Sequence, residues 1–302
     1  MRIETPGGSS RWQRSWWRLR DPGAGLLFLL PMLVLFVVFR FVPTLGAVGM
    51  SFTNFNLGGT WQVVGAQNYA LLLHDRIFLN SLRVTVVYAA IYIPLTVVIS
   101  LVTALLLDAV IWGQGLFRSA LFLPYATSFV LGAVIWLWIY QYDGLINGLL
   151  AKVHVAPVGF LSDARLVLPS LALVSAWKGF GYSMLILVAG LKAIPRSCLE
   201  AATVDGAGAW QRFWLVRLPL LRTVLFFVLV IETISAFQVF DTVYVMTGGG
   251  PVRASYALVF ALFDQGFQFF NFGYAATLGV VLMVVILAVA MVQRLFLDRS
   301  VT

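Results

Sequence analysis

Six stretches of this chain, near residues 24–51, 82–107, 116–140, 166–190, 220–242 and 273–295, stay apolar over roughly 20 residues or more. No other property of the sequence restricts its folding as strongly. A run of that length spans the hydrocarbon of a bilayer as a helix, where every backbone N–H and C=O must be satisfied within the segment. A closed barrel is the other solution, but these runs are too long for strands and lack strict period-two alternation. Composition agrees, with 61% of the 302 residues hydrophobic and 11% charged, against about 25% charged in soluble domains. The expectation is an all-α integral membrane protein with six transmembrane helices.

Orientation follows from the basic residues. The net charge of +8 falls in short blocks beside the apolar runs, a topology signal rather than a nucleic-acid footprint. With the N-terminus inside, thirteen of the 20 lysines and arginines lie in inner segments. Five lie in outer segments (Arg76, Arg83, Lys152, Arg165, Arg253), and Arg40 and Lys178 fall within spans. Both termini are therefore assigned to the cytoplasm of a bacterium, with tails 1–23 and 296–302 flanking a six-helix domain over 24–295. The basic stretch RWQRSWWRLR could open a signal peptide, but the run behind it continues through Pro43 to Met50, beyond a signal core of about 7–15 residues. Trp12, Trp16 and Trp17 suit an interfacial segment on anionic lipid or an aromatic belt. Arg40 is expected to snorkel toward the outer surface, and Trp136, Trp138 and Tyr140 to form an interfacial belt. The outer loops, about 52–81, 141–165 and 243–272, are too short for a further domain.

Chemistry-bearing motifs are few. One cysteine, Cys198, permits no intrachain disulfide, and His74 and His154 fall in different loops, which disfavours a metal site. The sequence has no HExxH, no GxSxG and no GxxxxGK[ST] phosphate loop. No cofactor is expected on this chain, and any ATP must be handled by another polypeptide.

Polar residues inside apolar runs need a reason, since an ionisable one costs about 2.5–3.5 kcal/mol on insertion scales. Glu232, Ser235, Gln238 and Asp241 recur every three residues along the fifth run. Lys178 and Tyr182 are four apart in the fourth, with Ser175 three before. Tyr88, Tyr92 and Thr96 form a stripe in the second, and Tyr125 and Ser128 pair in the third. Two readings stand: a water-accessible pathway suited to a sugar or polyol, or interhelical bonds such as Lys178 to Glu232 or Asp241. An ion-coupled transporter using Glu232, Lys178 and Asp241 as a relay is the alternative class. The inverted repeats and broken midplane helices of such transporters are not visible in the sequence.

Between the fourth and fifth runs lies EAATVDGAGAWQRFWLVRLPLL, residues 200–221. Ser197 and Glu200 have capping-box spacing, which places a helix start just after Pro195. Asp205-Gly206 breaks that helix, a second begins near Ala209, and Pro219 is expected to end it and force an exit into the fifth span. On physical grounds the segment could rest on lipid headgroups or dock a protein, and Trp210, Phe213 and Trp214 serve either.

The spacing of Glu200-Ala201-Ala202, Asp205-Gly206-Ala207 and Leu218-Pro219 resembles the EAA loop of permease subunits in binding-protein-dependent ATP-binding-cassette importers. WKGFGYSMLILVAGLKAIP at 177–195, FQVFDTVYVMTGGGP at 237–251 and FQFFNFGYAATLGVVL at 267–282 are similar to the carbohydrate-type permeases of that family. The resemblance covers residues 20–300; only Gly208, where a polar residue is common, departs at the loop. It implies that the loop forms coupling helices in a groove of an ATPase dimer carrying ATP and Mg. Glu200, Ala201, Ala202, Asp205, Gly206, Leu218 and Pro219 are then the coupling residues. The implied partners are a second, homologous permease subunit in a heterodimer and an extracytoplasmic solute-binding protein facing the GGGP turn at 248–251. The implied solute is a carbohydrate or glycerol-phosphate-type molecule, and the membrane a bacterial inner membrane.

Overall fold

The computed structural model describes residues 22–59, 61–110 and 112–298. In chain order the helices are α1 (Leu26–Met50), α2 (Gln67–His74), α3 (Arg76–Ala109), α4 (Gln114–Ala126), α5 (Phe129–Ile139), α6 (Leu145–Lys152), α7 (Val167–Ala193), α8 (Arg196–Val204), α9 (Ala209–Phe237), α10 (Asp241–Met246), α11 (Leu258–Phe263) and α12 (Phe272–Asp298). Five of them, α1, α3, α7, α9 and α12, are long and apolar enough to cross a membrane. The pair α4 and α5, bent by 91°, passes the same test only when the two are taken together, which makes the count five or six. The tryptophan-rich tail, with its arginines, and Arg299 lie outside the described residues.

α7 is the axis of the bundle, packed along α3 and flanked by α4, α5 and α9. Small residues let its neighbours approach, as lipid-embedded helices require. A Cβ on Gly181 would stand 2.6 Å from the carbonyl oxygen of Leu121 in α4, and one on Gly190 2.8 Å from Leu221 in α9. Two apolar clusters fill the interior. One gathers Phe78 to Tyr92 of α3 and Val167 to Ala176 of α7; the other gathers Ala104 and Leu107 of α3 and Met184 to Leu191 of α7. Between them, near the middle of α7, the lining turns polar.

At one end of the bundle the loops knit into a collar. Nδ2 of buried Asn68 donates to the carbonyls of Ser51 and Thr53, both at 2.9 Å. Thr277 adds a hydrogen bond to the Ser51 carbonyl at 3.1 Å, and the Tyr274 hydroxyl donates to Asp75 at 2.7 Å. The N–H of Gly273 donates to the Phe55 carbonyl. The opposite end carries the 196–217 segment. There Arg217 lies 3.7 Å from Asp108, and Lys192 donates to Gln114.

Several expectations need correction. The run 116–140 is not one helix: it breaks at Thr127–Ser128, behind Pro124, into α4 and α5. The run 220–242 ends as a helix at Phe237, and a separate short helix starts at Asp241. Glu232, Ser235, Gln238 and Asp241 are therefore not one helical stripe. Pro219 does not end a helix. A π-helical turn, Phe213–Arg217, precedes it, with the Leu218 N–H reaching back to the Phe213 carbonyl, so α9 runs unbroken from the loop into the span. The wider turn relieves the clash of a proline ring with the carbonyl four residues before. Pro43 in α1 has the same device, the turn Val37–Phe41 two residues ahead of it. Arg40 lies within that turn and is exposed. Tyr140 is buried against α7, its ring stacked on Phe160, instead of joining an outward belt with exposed Trp138.

Candidate functional site

The polar level of the bundle encloses a cavity of about 410 Å³. α3 contributes Tyr88 and Tyr92, four residues and one turn apart, whose rings stack at 5.6 Å. The elbow between α4 and α5 contributes Tyr125, Thr127 and Phe129. α7 contributes Ser175, Lys178 and Gly179, the last close enough that a Cβ would stand 3.0 Å from the Tyr92 hydroxyl. The end of α9 supplies Ser235 and Gln238, and the start of α10 supplies Asp241 and Thr242. Ser175 and Thr242 share a hydrogen bond of 3.0 Å, tying α7 to α10 across the wall.

The elbow explains Lys178. Breaking a helix inside a membrane strands backbone carbonyls in apolar surroundings, at several kcal/mol each. The Lys178 ammonium donates to the carbonyls of Pro124, Tyr125 and Thr127 and approaches the Thr127 hydroxyl at 3.2 Å. It also lies over the Phe129 ring, 5.6 Å from its centre. The expected interhelical pairing of Lys178 with Glu232 or Asp241 is not what forms. Glu232, itself buried, instead accepts hydrogen bonds from the Tyr92 hydroxyl at 2.7 Å and from Ser183. The tyrosine presents its ring to the cavity and its oxygen to this carboxylate.

Of the predicted pathway residues, Tyr88, Tyr92, Tyr125, Lys178, Ser235, Gln238 and Asp241 meet at this cavity. Three stand off the wall. Glu232 lies behind Tyr92, Tyr182 stacks on Tyr125 at 5.0 Å, and Ser128 is the residue just ahead of α5. Sequence reasoning missed Thr127, Phe129, Gly179 and Thr242. A signal was present: Pro124 followed by Thr127-Ser128 ahead of an apolar run is the signature of a helix start, overlooked because hydropathy runs on through it.

The second candidate site is the segment between α7 and α9. α8 starts after Pro195 as expected, but no side chain caps it. Ser197 is already inside the first turn, so the capping-box geometry is not formed. The C-terminus is built as the sequence implies. Gly206 takes φ +80°, its N–H bonds to the Thr203 carbonyl, and the Ala207 N–H bonds to the Ala202 carbonyl at 2.9 Å, a Schellman end. α9 then starts behind Gly208, whose N–H is accepted by the Gln211 side chain, and Arg212 donates to Thr203 between the two helices. Glu200, Ala201, Asp205, Gly206 and Pro219 are exposed, with Ala202 and Leu218 partly so. Val204, Trp210 and Leu215 are apolar and largely uncovered.

Five long apolar helices and one bent pair about a mid-bundle polar cavity, with an exposed helix pair leading into α9, have the architecture of a membrane transport-pathway subunit. Sequence and structure comparisons agree. Residues 78–302 match the family described as binding-protein-dependent transport system inner membrane component. The chain is 34% identical over 278 residues, 91% of its length and 94% of the relative's, to the sn-glycerol-3-phosphate transport system permease protein UgpA of Agrobacterium fabrum. It is 32% identical over 277 residues, again 91% and 94%, to the trehalose/maltose transport system permease protein MalF of Thermococcus litoralis. Its fold matches a chain of a bacterial ABC transporter involved in import of the acidic polysaccharide alginate, with a TM-score of 0.78, 20% identity and coverage of 96% and 100%. The chain belongs to the inner-membrane permease family of binding-protein-dependent transport systems, and it is a multi-pass membrane subunit of an ABC importer.

Proposed function

We propose that this chain forms half of the translocation pathway of an ATP-driven importer for a carbohydrate or glycerol-phosphate-type solute, delivered by an extracytoplasmic binding protein. The other half is a second, homologous permease subunit, and ATP and Mg reside on a separate ATPase dimer. The domain spans 24–295 in a bacterial plasma membrane, both termini are cytoplasmic, and the collar faces outward. The observation that carries this reading is the 196–219 segment. A short helix closed by a positive-φ glycine exposes Glu200 beside small Ala201, and apolar Val204 and Trp210 stand uncovered. A surface of that kind suits a groove in a protein, because small Ala201 lets another surface approach closely and a carboxylate and apolar side chains stand open beside it.

In this mechanism the ATPase subunits close on ATP and move the 196–212 helices, and the membrane helices rock as rigid bodies between inward- and outward-facing states. Tyr88, Tyr92, Tyr125, Lys178, Ser235, Gln238 and Asp241 form this chain's share of the solute path, with Tyr182, Ser128 and Glu232 supporting it from behind. Names of relatives support the solute class: one is a glycerol-phosphate permease and another a trehalose/maltose permease. The test is co-purification with the ATPase subunits. Glu200→Lys and Gly206→Asp should each abolish ATPase capture and solute-stimulated ATP hydrolysis while the chain stays in the membrane. Transport that survives both substitutions and runs on an ion gradient alone would end the importer reading in favour of a secondary transporter.

A further inference from the structure

We infer that the cavity accepts an uncharged, polyhydroxylated solute and excludes a phosphate ester, and that Asp241 is the residue that discriminates. The inference rests on the cavity being the solute pathway.

Lys178 is the one cation among the described lining residues. An ammonium has three N–H donors. Those of Lys178 face the carbonyls of Pro124, Tyr125 and Thr127, and its side chain is buried, 4% exposed. Its charge is therefore committed to holding the elbow. Recruiting it to a phosphate would take it from three backbone carbonyls it already serves. Phosphate sites are otherwise built from free guanidinium or ammonium groups and unpaired backbone N–H, and no other lysine, arginine or histidine lines this wall.

The charge that does face the cavity is negative. Asp241 is exposed, and its carboxylate has no hydrogen-bond or ion-pair partner among the described residues. An ionised carboxylate only accepts hydrogen bonds. Its two oxygens match the two hydroxyls of a vicinal diol, whereas a phosphate dianion would meet like charge, which costs several kcal/mol at close range. The remaining wall suits a sugar ring. Exposed Tyr125, its ring stacked on Tyr182, offers a flat apolar face, and the stacked, nearly buried Tyr88–Tyr92 pair backs the same wall. Gln238 adds one group that both donates and accepts.

The test uses the importer assembled with its sister permease and ATPase subunits in nanodiscs, without the binding protein. Uncharged mono- and disaccharides, glucose 6-phosphate and sn-glycerol 3-phosphate are titrated by calorimetry to millimolar concentration, with Gln238→Ala, Asp241→Ala and Asp241→Asn as variants. Expected is saturable binding of an uncharged saccharide, weakened about tenfold or more by Asp241→Ala and less by Asp241→Asn, with no binding of either phosphate ester. A phosphate ester whose binding responds to Gln238→Ala overturns the uncharged-solute class and leaves the pathway reading intact. Saccharide binding that responds to Gln238→Ala but not to Asp241→Ala overturns the role of Asp241. If nothing binds, or nothing responds to either position, the pathway reading itself fails and takes this inference with it.

Discussion

The two ends of this molecule are built on opposite plans. At the collar, polar groups find partners within the chain: Asn68 holds two carbonyls, Tyr274 holds Asp75, Asn80 reaches the Arg253 carbonyl, and Thr247 and Ser255 bond to one another. At the other end α8 buries no residue, the Glu200 carboxylate has no partner among the described residues, and apolar side chains stand uncovered. The collar's polar groups bond to one another, whereas α8 leaves its carboxylate and its apolar side chains open. A self-satisfied end contributes to folding stability, whereas an open end contributes to binding.

That contrast can be broken by four substitutions, ordered by their expected effect on stability. Lys178→Met, between the two ends, leaves the elbow carbonyls without a donor and should cost about 3 kcal/mol, read as a lowered melting temperature in detergent. A melting temperature equal to wild type would show that the elbow closes without its cap. Asn68→Ala removes two buried hydrogen bonds of the collar and should cost about 2 kcal/mol, with ATPase capture by the folded fraction unchanged. Gly206→Ala forces a side chain into φ +80° with open space around it, so about 1 kcal/mol of strain falls on α8 alone; the melting temperature should barely move and ATPase capture should weaken. Glu200→Lys should leave stability unaltered within about 0.5 kcal/mol and abolish capture. Were Glu200→Lys to destabilise the chain as much as Asn68→Ala, the division between the two ends would be wrong.

The spans were legible because twenty apolar residues in a row leave a chain few choices, and hydropathy reports that length directly. The breaks were not. Through Pro124, Tyr125, Ala126, Thr127 and Ser128 only two hydroxyl residues interrupt the apolar run, and a hydroxyl can bond back to its own helix as readily as begin a new one. What makes the break permissible is Lys178, 50 residues further along the chain, and no local window contains both. Pro219 misled in the other direction. A proline reads as a stop, yet a single wide turn ahead of it lets the helix continue. Gly206 was legible because a positive φ has an almost unique residue preference. The half of the cavity wall read correctly, Tyr88, Tyr92, Tyr125, Lys178, Ser235, Gln238 and Asp241, came from polar residues whose cost in an apolar run demands an explanation. Phe129 and Gly179 were invisible to that criterion because neither is polar.

The unbroken course of α9 has a mechanical consequence. Its 29 residues make a rod about 44 Å long, with Ala209 at the exposed end and Gln238, the next residue after its last turn, on the cavity wall. A push at one tip reaches the other without crossing a hinge made of loop. The softest point along it is the π-helical turn Phe213–Arg217.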